Sequence, residues 1–181
     1  MVTPIILPGE EKCGRYGTMF NYRSGLDFNW VKTEPWGIFW KKVWWDVQVP
    51  ELHPIMWLDK ASGLIYRPAS TRQLEQGVHR KTDLGSVPPP VQSFFPPAEN
   101  PPAYVFHDVG YGCGGLWVST RVEGPWIWCK MERLELDDMC LRNIPQAFGT
   151  TRVRRNTIYE CVRLGGRGNY RPRQPQVEDR L

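Results

Sequence analysis

The sequence predicts an α+β protein on three observations. Aromatic and β-branched residues concentrate in the first 76 residues, helix start and stop signals concentrate after residue 100, and proline-dense chain lies between. Strands first and helices after is the order of a fold in which helices gather at one side of an antiparallel sheet. A length of 181 residues suits a single domain with a real core. An apolar fraction of 41% and a charged fraction of 23% are ordinary for a globular chain, which excludes wholesale disorder. The expected organisation is one domain over 1–170: a β-rich aromatic part (1–76), then a motif-bearing core (77–166). A polar Arg/Pro tail follows over 167–181.

Residues 1–35 read as loop, because Pro4, Pro8, Gly9, Gly14, Gly17, Gly25 and Pro35 interrupt any long element. From Trp36 to Val49, helical and alternating spacing fit equally well; the aromatic and β-branched content favours a strand. Met56–Asp59 and Gly63–Tyr66 flank a Lys60-Ala61-Ser62-Gly63 turn and read as a hairpin. Residues 87–102 are too rich in proline for regular structure and form extended, stiff chain. They end in Asn100-Pro101-Pro102, a helix start, and the first helix should run from Ala103 to about Tyr111 and stop at the Gly112–Gly115 cluster.

Leu116 to Cys129 alternates around Glu123-Gly124-Pro125 as a β-hairpin. A second helix is expected over about Met131–Asn143, closed by Pro145. A third should start at Thr150 or Thr151, turn Val153, Ile158, Cys161 and Val162 inward, and end at Gly165-Gly166. The expected fold is therefore a small N-terminal antiparallel sheet followed by a three-helix C-terminal half with an inserted hairpin.

No apolar run approaches the roughly 20 residues that span a bilayer, and the N-terminus carries no basic-then-apolar secretory pattern. The expectation is a protein made in the cytoplasm without a membrane span. Five Cys at no C-x-x-C spacing argue against a zinc ribbon or thioredoxin-like site. Cys113 and Cys129 would be placed to pair across the hairpin in an oxidising setting. The net charge of +4 is uneven: residues 150–181 hold eight Arg against three acidic residues. Such a segment can bind nucleic acid or an acidic surface, and the plain alternative is a solvated helix face with a polar end.

Three segments could carry chemistry. In Thr82-Asp83-Leu84-Gly85-Ser86, Asp83 could hold a metal or orient a histidine, while Thr82 and Ser86 suit a turn that holds the bend. In Phe106-His107-Asp108-Val109-Gly110-Tyr111, His107 and Tyr111 share a helix face and Asp108 points about 100° away. His107 can serve as a general base, and Asp108 can bind a hard cation such as Ca²⁺. Gly110, unfavourable inside a helix, implies that something approaches the backbone there. The third segment, Arg133-Leu134-Glu135-Leu136-Asp137-Asp138, places Asp137 at a buried edge, where it needs a partner such as His107 or Tyr111. Each has a plain alternative: a hydrogen-bonded polar group that ties helix to loop.

In order, T-D-L-G-S-V-P, H-D-x-x-Y, R-x-E-x-D and the closing Tyr159-Glu-Cys-Val-Arg-Leu-Gly-Gly166 resemble a phage and bacterial domain family of unknown function. Its pattern reads T-D-x-A-S-V-P, H-D-x-x-Y, R-A-E-A-D and V-R-x-x-G. The likeness covers residues 77–166, with Gly85 where the family has Ala and residues 112–130 as an insertion relative to its pattern. It implies a bacteriophage protein, synthesised in the host cytoplasm and then carried in the virion, with other virion proteins as partners. H-D-x-x-Y with a partner-helix Asp is also similar to phospholipases A2. That likeness implies His107 as the base, Asp108 on Ca²⁺, and Tyr111 with Asp137 orienting the histidine. In those enzymes the Gly-rich calcium loop precedes the His-Asp helix; here Gly112–Gly115 follows it.

Three functional readings follow. The first is a virion-associated tail or neck component that retains a His/Asp hydrolase-like constellation, with Thr82, Asp83, Ser86 and Arg133 as supporting residues. The second is an active esterase-, phospholipase- or cell-wall-directed hydrolase using His107, Asp137 and Tyr111. The third is nucleic-acid binding through residues 150–181.

Overall fold

The computed structural model describes residues 2–36, 40–75, 81–82 and 100–165. Asp83, Ser86, the proline-rich chain up to residue 99 and the tail 167–181 lie outside the described residues.

The chain is α+β. Strands β1 (Lys12–Cys13), β2 (Gly17–Phe20), β5 (Met56–Asp59), β6 (Ile65–Arg67), β8 (Gly115–Ser119) and β9 (Ile127–Lys130) form one antiparallel sheet in the order β1-β2-β5-β6-β8-β9. The β5–β6 turn forms because the Asp59 carboxylate accepts the backbone N–H of Ala61 and Ser62, while Gly63 takes a positive φ of 70°. The 115–130 hairpin joins this sheet through β6–β8 pairing.

A second antiparallel sheet has the order β3-β4-β7, with β3 over Asp27–Trp36, β4 over Trp40–Gln48 and β7 over Lys81–Thr82. Here the expectation of loop over 1–35 is corrected. β3 is a ten-residue strand, and Pro35 is tolerated because β3 lies at the sheet edge, where a missing N–H need not break a ladder.

Helix α1 is short (Thr71–Glu75) and α2 spans Pro101–Cys113. Asn100 occupies the N-cap position of α2 without a side-chain capping bond, and its amide reaches Thr150 instead. Gly114 closes the helix in the left-handed conformation, its N–H donating to the Gly110 carbonyl. α2 is the centre of the molecule. Ala103, Phe106 and Tyr111 enter a core with Met19, Trp57, Leu116 and Leu136; Val105, Val109 and Cys113 meet Val47, Val49 and Leu74; Tyr104 meets Leu141, Ile158 and Tyr159. A helix that is apolar on every side must be enclosed on every side.

The next helical stretch differs from the expected span of 131–143. It opens as α3 (Arg133–Leu136) with a reciprocal Glu132/Glu135 capping box, widens into a π-helix over Asp137–Asn143, and continues as α4 (Ile144–Ala147). Pro145 does not close it. A proline breaks an α-helix by lacking an N–H and crowding the carbonyl four residues back; here it stands in the first turn of α4, just after the widened turns.

Helix α5 spans Arg152–Gly165. Ile158 and Val162 face inward as expected and Cys161 is half-buried, but Val153 is exposed and Arg155 is buried in its place. Residues 155, 158, 159 and 162 keep the 3–4 spacing of one face, and 153 falls off it. All five cysteines are free thiols. Among the described residues no helix is long and apolar enough to cross a membrane.

Candidate functional site

His107 projects from α2 into the angle between α2 and the α3/π-helix stretch. Tyr111, one turn on, lies against it with ring centroids 4.0 Å apart. The π-helix starts at Asp137, which is fully buried. The Asp137 Oδ1 atom meets His107 Nε2 at 3.0 Å and also accepts the Tyr111 hydroxyl. On its other side His107 Nδ1 meets Asp108 Oδ1 at 2.8 Å, and Asp108 Oδ2 accepts the Thr82 hydroxyl of β7. Arg133, one turn before Asp137, donates from Nε to the Tyr111 oxygen at 3.1 Å and stands 3.7 Å from Asp137 Oδ2. Its terminal nitrogen donates to the Arg163 carbonyl near the end of α5.

The structure thus joins six of the residues singled out in the sequence: Thr82, His107, Asp108, Tyr111, Arg133 and Asp137. One expectation is corrected: His107 and Asp108 do not point apart. Helix geometry sets their Cβ directions about 100° apart, but the buried imidazole and the short carboxylate both swing toward the gap beside β7 and meet. The Arg163 carbonyl had no sequence signal, since a main-chain group leaves none.

His107 is 5% exposed. Burial disfavours its charged form, but the hydrogen bonds it donates to Asp108 and Asp137, reinforced by their charges, outweigh it and raise its pKa to about 9. At neutral pH it is an imidazolium with both N–H groups donating. Two cations (His107, Arg133) then face two carboxylates (Asp108, Asp137), so the buried cluster is charge-balanced. Asp137 Oδ2 has no hydrogen-bond partner among the described residues and relies on the Arg133 charge. Burial and Asp137 push the Tyr111 hydroxyl pKa up, which keeps it a donor. Burial likewise raises the neighbouring Cys140 thiol pKa, with the two carboxylates adding to it, so that thiol stays protonated and unreactive.

No family model, curated protein or solved structure matches this chain.

Asp108 is the outer member, its side chain 22% exposed. Both its oxygens are engaged by protein donors, which leaves it orienting His107 instead of free to ligate Ca²⁺. Among the described residues no group of three or more His, Cys, Asp or Glu side chains is placed to hold a metal. A separate open cleft of about 680 Å³ is lined by Asp27, Gln48, Glu51, Thr71 and Arg72, none of them a member of this cluster.

Proposed function

We propose that this chain is a bacteriophage virion-associated protein of the tail or neck, in which the His107 cluster locks the core. The observation that carries the lock is the buried imidazolium bracketed on both nitrogens by carboxylates. A general base must be neutral and must reach a substrate proton; this histidine is protonated and spends both nitrogens on protein. The phage assignment rests on the ordered motifs over 77–166, and the partners it implies are other virion proteins. Mass spectrometry of purified particles tests it: the chain should be present at fixed stoichiometry, and its absence from intact particles would falsify the assignment.

One observation favours a second reading, an active hydrolase. Asp137 and Tyr111 hold the Nε2 side of the ring, so the Nδ1 side faces Asp108, the most exposed member of the cluster. A carboxylate fixes a catalytic histidine in this way from one nitrogen, and here Asp108 would have to yield Nδ1 to the substrate. Under this reading His107 must lose its proton first, so hydrolysis of phospholipid, peptidoglycan or ester substrates should climb with pH toward about 9. His107→Ala and Asp137→Asn should abolish it. Wild-type protein inactive on all three substrate classes across pH 6–9.5 would rule this reading out.

A further inference from the structure

Arg67 of β6 stands directly across from Trp117 of β8. Along these strands Leu116 turns to the α2 core, while Trp117 turns to the opposite face with Met56, Ile65 and Trp126. Arg67 shares that second face. It is 4% exposed, and its guanidinium carbon lies 4.5 Å from the Trp126 ring centroid and 5.8 Å from that of Trp117.

Those indoles stabilise the cation through its flat face but accept nothing from its five in-plane N–H groups. Its Nε is fully buried without an acceptor, and among the described residues the Arg67 side chain makes no hydrogen bond or ion pair. Glu51, whose charge it feels, is directed to Arg72 at 3.7 Å. Burial lowers the Arg67 pKa to about 10, so it remains a cation at neutral pH. Gln73 lies against the same indole: its side-chain oxygen accepts from Trp117 Nε1 at 3.3 Å and from the Ser70 N–H at 2.9 Å. Its amide nitrogen is left to donate. A buried guanidinium fork and a carboxamide donor that approach one indole are the chemistry that receives a carboxylate or phosphate edge-on.

We propose that Arg67, with the Gln73 amide at the same Trp117 indole, forms an oxyanion-binding site separate from the His107 cluster. The alternative role is a cation–π strut that needs no ligand.

Thermal unfolding of the full chain at pH 7, in chloride, acetate and inorganic phosphate of matched ionic strength, separates the two. At ten times its dissociation constant the bound anion should raise Tm by roughly 3–5 °C above chloride. A response to phosphate alone identifies a phosphate ligand; an equal response to acetate identifies a carboxylate-bearing one. Arg67→Met should abolish the response and, in chloride, melt no lower than wild type, because it removes an uncompensated buried charge. Identical wild-type Tm in all three salts overturns the proposal. So does an Arg67→Met variant that keeps the wild-type anion response. Should that variant not fold, Arg67→Lys decides: it keeps the charge but not the fork, and a full anion response in it refutes the site.

Discussion

Around His107 a single proton sets the charge balance. With it, two cations oppose two carboxylates; without it, Asp108 and Asp137 share one remaining cation, Arg133. The folded pKa of about 9 lies above the unfolded value near 6.5, so the folded state binds the proton more tightly. The stabilisation is complete below about pH 6.5 and is lost as pH rises toward 9. Its size is on the order of 3 kcal/mol. Urea midpoints at pH 6, 7.5 and 9 should fall in that order, and a flat profile would remove the charged-histidine assignment. His107→Ala should cost roughly 3–5 kcal/mol at pH 6, since it strands Asp137 without its nearest cation. The same variant should flatten the pH profile. Candidate residues at this scale were legible because buried charge demands a partner: Asp137 next to Leu136 and Cys140 required one, and His107 supplied it. The His107–Asp108 bond was not legible, because adjacent helix positions ordinarily diverge and only the surrounding core turns these two side chains together.

Elements meet at the cluster through close contacts. A Cβ on Gly110 of α2 would lie 2.6 Å from Leu136 Cδ2, and Leu136 is fully buried and cannot easily withdraw. Gly110→Ala gains about 1 kcal/mol of helix propensity but overpacks this contact at a cost of roughly 1–3 kcal/mol. A net loss near 1 kcal/mol is expected in denaturant titration. Adding Leu136→Ala should make the two changes non-additive by relieving the clash, and strict additivity would show that the helices are not in contact there. Thr82 is the tie from β7 to α2. Thr82→Val removes its hydroxyl from Asp108 and should cost about 1–3 kcal/mol, with faster amide exchange over 81–82 as the local readout. The glycine signal in the sequence foretold a close approach, and the structure identifies Leu136 as what approaches. The π-helix over Asp137–Asn143 had no comparable signal.

For the whole molecule, α2 makes one cooperative unit of parts that the sequence separates. Its three buried faces join the six-stranded sheet, the core containing Val47 of β4, and α5. Helix loss by far-UV circular dichroism and core loss by tryptophan fluorescence should therefore follow one transition. Two separated midpoints would show that the β-rich and helical parts fold independently.

By itself the sequence determined the α+β class, the hairpins, the helices that start at Asn100-Pro101 and after Thr151, and which polar residues needed company. Local pattern, capping and turn chemistry are short-range and leave residue-level traces. Only the tertiary structure decided that β3 extends to Trp36 at a sheet edge, that Arg155 replaces Val153 on the inner face of α5, and that the His107 cluster is charge-balanced and nearly closed to solvent. Those outcomes depend on which surfaces meet. Burial and the resulting pKa of His107 are properties of the assembled core, and no segment of the chain carries them alone.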